Sequence, residues 1–443
     1  MMMKLNINRG LIVAIGLTAA FAVNTASFAE TIKTTEANKN QTSQSQSNLL
    51  LQRWLKKNVN DHPSVLAAQA AADSAGFQLI AADKALYNPE LELDAETAET
   101  DSASIGLSQT IDWGDTRGAK TEMASSSRAA ADYAFEATRR EIALAFLAGL
   151  SDYHTSMALK DLSEQGNTLM QRSAKLAKQR FDAGDLNKVE VDLANLTYAQ
   201  ARFKRADAIS QQARAMQNLI SLSGSASTNW PELSLTFPDP AVSGNLNSGD
   251  VKAEIETTVQ QLPQMRDILA RVKAAQANVK VQAGQGSINP TIAIRAGKEE
   301  QDTLLGFSLS IPLQVRNNFQ AEVDAANAEM IQAERESIDA YRKLKSRLEI
   351  AIVSYQLSRE AWFAWQESGA DTLNEQIKLL ERLWKAGELN TTDYIIQLNQ
   401  ALETKASAIE QRGRMWTDWS EWLIASGKIE QWLPATKNKR ENK

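Results

Sequence analysis

The chain has 443 residues, no cysteine, two histidines and a net charge of −6. That length suits two or three ordinary domains or one extended one. The lack of cysteine excludes disulfides, thiolate metal sites and a lipidated N-terminal cysteine. The acidic balance argues against a nucleic-acid partner.

Residues 1–29 read as a signal peptide. Lys4 and Arg9 supply a positive start, Leu11 to Val23 an apolar run, and Ser27-Phe28-Ala29 a cleavage site before Glu30. A membrane anchor is the competing reading; the run is short for it, and cleavage-like residues follow. Export without a disulfide framework points to a bacterial envelope. Residues 30–48, rich in Gln, Ser and Thr, form a polar tether. No later segment offers about 18 consecutive apolar residues, so no transmembrane helix is expected. A β-barrel stays open, because its strands alternate only weakly.

The body is one unit written twice. Ile105 to Ile111 (IGLSQTI) answers Leu305 to Ile311 (LGFSLSI), and Asn88-Pro89 answers Asn289-Pro290. His62-Pro63 answers Leu262-Pro263. Phe181-Asp-Ala-Gly184-Asp-Leu-Asn187 answers Trp384-Lys-Ala-Gly387-Glu-Leu-Asn390. Four landmarks in one order at nearly one spacing indicate an internal duplication. The repeats are residues 49–224 and 251–427. A Gly/Pro/Ser-rich surface connection, 225–250, joins them, and a polar tail, 428–443, follows.

Each repeat has one element order. A helical stretch comes first, Leu50 to Leu86 and Val251 to Ala283. A strand pair follows, then a very long helix, about Thr116 to Arg180 and Phe319 to Leu383. A glycine turn and a shorter helix, about Lys188 to Leu222 and Thr392 to Ser426, close the unit. Leu162, Leu169 and Leu176 are seven apart, and Leu373, Ile377, Leu380 and Trp384 continue a heptad-like step. Such steps mean antiparallel helices in coiled-coil packing. Gly184 and Gly387 are expected to end their helices in a left-handed cap, with Asn187 and Asn390 as the next N-caps. At 1.5 Å per residue the long helices reach roughly 100 Å, and each short helix about half of that. Two short helices end to end match one long one, which makes a cylinder wall.

The strands alternate. Glu90, Glu92, Asp94 and Glu96 interleave with Leu91, Leu93 and Ala95; Ile105, Leu107, Ile111 and Trp113 interleave with polar residues. The second copy offers Ile292, Ile294, Leu305, Phe307, Leu309, Ile311 and Leu313. About ten residues per strand is the length of a tilted membrane crossing. From periodicity alone a small soluble sheet packed on helices is the favoured reading; strongly apolar sheet faces beside helices that run away from them as rods shift the balance toward a membrane. If the strands cross a membrane, four cannot close a barrel alone, since bacterial barrels start at about eight strands. Two chains would give eight strands and three would give twelve.

On these features the chain resembles the TolC-like outer-membrane efflux proteins. "LSQTIDWGDTR" from Leu107 and "LSIPLQVRNN" from Leu309 are most similar to its CzcC-like, heavy-metal branch. The resemblance covers about Leu50 to Gly427. It implies a mainly α fold with a small β part: a long antiparallel helical barrel, and four transmembrane strands per chain in a trimeric twelve-stranded barrel. It implies a homotrimer in outer-membrane lipid, reaching into the periplasm. The implied partners are a periplasmic adaptor protein and an inner-membrane transporter of the resistance-nodulation-division class. The implied function is a passive duct of a tripartite pump, with heavy-metal cations as cargo. A duct for drugs or for protein secretion has the same architecture, and a periplasmic coiled-coil scaffold is the reading from another class.

The resemblance also assigns sites. The adaptor-docking tips are Gly184, Asp185, Leu186, Gly387, Glu388 and Leu389. Asp393 falls at an acidic ring of the tunnel mouth, with Glu190 in the like place of the first copy. The family's second acidic position is Ile396 here, and its basic latch position is Leu389. From the strand pattern, Glu90, Glu92, Asp94 and Glu96 would face the barrel lumen, with Arg295 and Lys298 partly offsetting their charge. A ring of such carboxylates favours cations; a solvated face without selectivity is the plain alternative. No enzyme motif, cofactor site or metal cluster is legible. His62 reads as a residue starting a helix, His154 as isolated on a long helix, and Trp416, Trp419 and Trp422 as packing.

Overall fold

A computed structural model describes residues 48–97, 101–225, 230–233 and 249–432. The signal peptide, almost all of the tether and most of the inter-repeat connection lie outside the described residues.

The first helical stretch of each repeat is two helices. Residues 48–61 form α1 and Pro63–Ala82 form α2; Gly249–Gln261 form α5 and Pro263–Gln285 form α6. The prolines decide the break. A proline disfavours helical backbone in the preceding residue, and His62 and Leu262 are extended, at ψ 132° and 138°. Each proline then starts a new helix, where its missing N–H costs nothing. His62 is the N-cap, its Nδ1 accepting from Ser64 N at 3.2 Å.

Strands β1 (Glu90–Thr97), β2 (Asp101–Thr110), β3 (Thr291–Glu299) and β4 (Asp302–Ser310) form one antiparallel sheet in the order β1-β2-β3-β4. The helices keep the same order. Helix α2 leads into β1 and packs on α3 (Thr116–Asp182), which leaves β2; α3 packs on α6, which leads into β3; α6 packs on α7 (Gln320–Ser368), which leaves β4. Sheet and helices share one order, β1-β2-β3-β4 and α2-α3-α6-α7, and the sheet has two free edges, β1 and β4. Helix α2 is apolar and long enough for a membrane span by composition, yet here it lies along α3.

The first long helix is unbroken over 67 residues, roughly 100 Å. Its repeat mate is not. The expected helix Phe319 to Leu383 divides at Gly369 into α7 and α8 (Ala370–Ala386). The Trp365 ring lies over Gly369, where an added Cβ would come within 2.4 Å of it. The first copy has Gly166 at the matching place, also 18 residues before its tip glycine, and stays helical there.

Helices α4 (Lys188–Ser223) and α9 (Thr391–Ala425) return from the tips. The main core lies where both repeats meet, with Leu51, Leu55, Phe146, Leu150, Leu219, Val259, Leu348, Tyr355 and Trp416, Trp419 and Trp422 all buried. The tryptophans are packing residues, as their spacing suggests. Arg347 of α7 adds a polar clasp, donating from Nη1 to Glu141 Oε1 of α3 at 2.7 Å and from Nε to Glu421 of α9. These partners, Glu421 first, hold its guanidinium charged above the ordinary arginine range. The tail is less plain than its composition suggests: Ile429–Trp432 form a short helix, α10, with Ile429 buried.

Candidate functional site

The two tips are built alike. Gly184 and Gly387 hold φ of 84° and 76°, the left-handed region that favours glycine. Backbone bonds close both turns: Gly184 N to Phe181 O at 2.9 Å, and Gly387 N to Trp384 O at 3.1 Å. Asn187 and Asn390 then cap the returning helices, accepting from Glu190 N at 3.0 Å and Asp393 N at 2.8 Å. Glu190 returns the bond, accepting from Asn187 N at 3.1 Å, a capping box. Asp393 accepts instead from the Asn390 side-chain amide at 2.6 Å. Both acids therefore have local structural work at the start of their helices. Asp185, Glu388 and Leu196 stand exposed, and Leu186 and Leu389 pack against the tip core.

A second core braces the tips. Trp384 and Tyr394 stack with ring centroids 4.2 Å apart and 3° between planes. Arg180 of α3 reaches across from the first repeat, donating from Nη2 to the Trp384 carbonyl at 3.2 Å, its guanidinium over the indole. Sequence reading passed over Arg180. Its one local mark is its place four residues before Gly184, in the last turn of α3.

The sheet separates its side chains by face. One face carries Leu91, Leu93, Ile105, Leu107, Ile292, Ile294, Leu305, Phe307 and Leu309. They are exposed, Leu305 at 83% and Leu93 at 71%. Gln109 shares this face, its amide satisfied by the carbonyls of Tyr87 and Thr110 at 3.2 and 2.8 Å. The other face carries Glu90, Glu92, Asp94 and Glu96 with Ser102, Ser104, Gly106 and Ser108. Arg295 joins them, in register with Gly106. Lys298 does not. Its register partners are Ala103 and Thr303, so alternation puts it on the apolar face; the expectation that it offsets the acidic face is corrected. β4 adds Leu304 to the acidic side.

His154 is not isolated. Its Nε2 lies 3.0 Å from the Pro231 carbonyl of the inter-repeat connection. It lines a cavity of about 180 Å³ with Trp362, Trp365, Arg412 and Trp416. Burial depresses its pKa below the usual histidine value, and nearby Arg412 adds to that. Among the described residues no group of three or more His, Cys, Asp or Glu could hold a metal ion.

A duplicated strand pair continued by long helices is a fold that several solved outer-membrane proteins of bacteria share. A membrane protein from Pseudomonas aeruginosa matches with a TM-score of 0.69 at 15% identity, over 85% of this chain and 93% of that one. CusC, described through its transmembrane channel formation, matches at 0.68 and 14%, over 85% and 92%. VceC, an outer membrane protein of Vibrio cholerae, matches at 0.68 and 14%, over 85% and 96%. At these identities the likeness is one of fold. In sequence, the family of outer membrane efflux proteins matches residues 54–225, the first repeat. That family is one of efflux proteins, not of enzymes. No curated protein matches the chain.

Proposed function

We propose that the chain is the outer-membrane duct of a tripartite efflux pump. Three copies share a twelve-stranded barrel, and their helices form a tunnel that ends at six glycine tips in the periplasm. The observation that carries this reading is the sheet. It has an exposed apolar face, an acidic opposite face and two free edges, β1 and β4. Open strand edges are not tolerated in lipid, so a membrane location needs further copies to close the sheet. The tips dock a periplasmic adaptor, which links the duct to a resistance-nodulation-division transporter. For the cargo we adopt heavy-metal cations. The resemblance of the stretches from Leu107 and Leu309 supports this, and so does the carboxylate face of β1.

The mature chain should fractionate with outer membranes. In mild detergent it should have three times the monomer mass. A stable monomer with intact strands would sink the barrel. A deletion strain challenged with cobalt, zinc, cadmium, copper and common drugs tests the cargo. Sensitivity to drugs alone would remove the metal assignment and leave the duct.

A further inference from the structure

The apolar face of the sheet can be followed row by row from the helix end to the hairpin turns. Gln109, Ile292 and Leu309 form one row, and Leu91, Leu107, Ile294 and Phe307 the next. Leu93, Ile105, Ala296 and Leu305 form the third. The fourth is Ala95, Ala103, Lys298 and Thr303. Lys298 is the one cation that the four strands put on this face. Small neighbours flank it, its side chain is exposed, and it makes no ion pair among the described residues. The carboxylates of Asp101 and Glu300 lie one row further out, at the turns.

At the other end of the face stands Trp113, 75% exposed, just beyond β2. Ten residues separate it from Ala103, the partner of Lys298. Only Ala103 to Thr110 of that stretch is strand, and Trp113 follows in a turn, its N–H bonded to the Ile111 carbonyl at 3.0 Å. Fully extended, ten residues reach about 33 Å, so at a tilt of 35–45° the stretch rises at most about 25 Å, the height of the lipid-facing band of a membrane barrel. A tryptophan at one boundary and a lysine at the other is what the two interfaces of a bilayer favour.

We propose that Lys298 marks the outer headgroup level and holds the phosphate of an outer-leaflet lipid. This rests on the membrane reading above. The apolar rows fix the side of the sheet on which the partner lies, and the flanking Ala103 and Thr303 leave the ammonium open toward it. An ammonium with lipid on that side meets acyl chains inward and phosphates at its own height. A lipid phosphate therefore fits, and a soluble acidic protein does not.

The full chain, reconstituted in nanodiscs of phosphatidylcholine doped with phosphatidic acid, is the material for the test. Native mass spectrometry after release counts the phosphatidic acid retained. Lys298→Gln should retain about fivefold less, the change expected for one cation at a membrane surface, and Lys298→Arg should behave as wild type. Equal retention by wild type and Lys298→Gln would overturn the proposal, as would full displacement by inorganic phosphate. A separate readout checks the membrane reading. A fluorophore on Leu305→Cys, the only cysteine then present, should be quenched by nitroxide-labelled acyl chains. If it is not, the sheet is not in lipid and both readings fall. If it is quenched while Lys298→Gln is silent, only the lysine assignment falls.

Discussion

Asp115 and Phe319 hold the same left-handed backbone, at φ 48° and 57°, at the two corners where a strand becomes a long helix. Side chains pin both corners. Asp112 accepts from Thr116 N and Arg117 N at 3.0 and 2.8 Å. Asn317 and Asn318 accept from Phe319 N and Gln320 N at 3.0 and 3.2 Å. The corners lead the sheet into the helical layer. Asparagine tolerates this backbone and β-branched residues do not. Phe319→Asn should therefore leave stability equal or higher, and Phe319→Val should lower it by about 1–2 kcal/mol. Denaturant midpoints of the two variants check this.

At the tips the strain can be isolated. Nothing lies within 4 Å of a Cβ built on Gly184 or Gly387. A substitution there therefore acts through the backbone alone, at about 1–3 kcal/mol. Gly184→Val and Gly387→Val should leave the trimer and its membrane insertion intact while abolishing adaptor cross-linking and export. Cysteines at Asp185 and Glu388 report it, against a co-expressed adaptor. Cross-linking and efflux at wild-type levels would make the repeated turn a cap and nothing more.

Capping and constriction make different demands on Asp393. Asp393→Asn preserves a polar side chain beside Asn390 but removes the charge. If three copies ring the tunnel mouth, single-channel conductance to cations should fall while the melting temperature holds. Asn187→Ala removes the N-cap half of the capping box around Glu190 and should lower stability by about 0.5–2 kcal/mol. Unchanged conductance in Asp393→Asn would leave Asp393 with its capping role alone.

The faces of β1 differ by one residue in register. Leu93→Lys puts a cation on the apolar face and should impair assembly, since lysine at mid-depth costs about 2–4 kcal/mol. Glu92→Lys should assemble normally and shift channel preference toward anions. Like behaviour of the two would reverse the assignment of faces.

His154 gives the helical part of the chain an acid-sensitive point. Its folded pKa lies below its ordinary value of 6.5, so the unfolded chain binds the proton first. The stability that depends on neutral His154 is full above 6.5 and is lost as pH falls through the lower folded value. Asp152 and Asp418, whose carboxyls burial pushes up, act with the opposite sign. Melting temperatures across this range should fall less steeply on acidification in His154→Gln than in wild type. Parallel curves would show that Pro231 and the inter-repeat connection do not depend on the imidazole charge.

The sequence by itself determined the duplication, the tips and the faces of the strands. These rest on local rules. Glycine carries positive φ at Gly184 and Gly387, asparagine caps at Asn187 and Asn390, and a period of two sorts Leu93 from Glu92. Even the boundaries of α4 and α9 follow from them to within a residue or two. Only the tertiary structure decided the rest. Phe319 carries a left-handed corner that no side-chain preference announces, because the wall and sheet around it impose the turn. Gly166 and Gly369 occupy matching places, yet only Gly369 breaks its helix, where Trp365 folds over the backbone. Arg180 becomes a bracket between the tips only because the second repeat lies against the first. In each case partners distant in the chain set the outcome, and the long-range contacts that bring them together are not written in any local period.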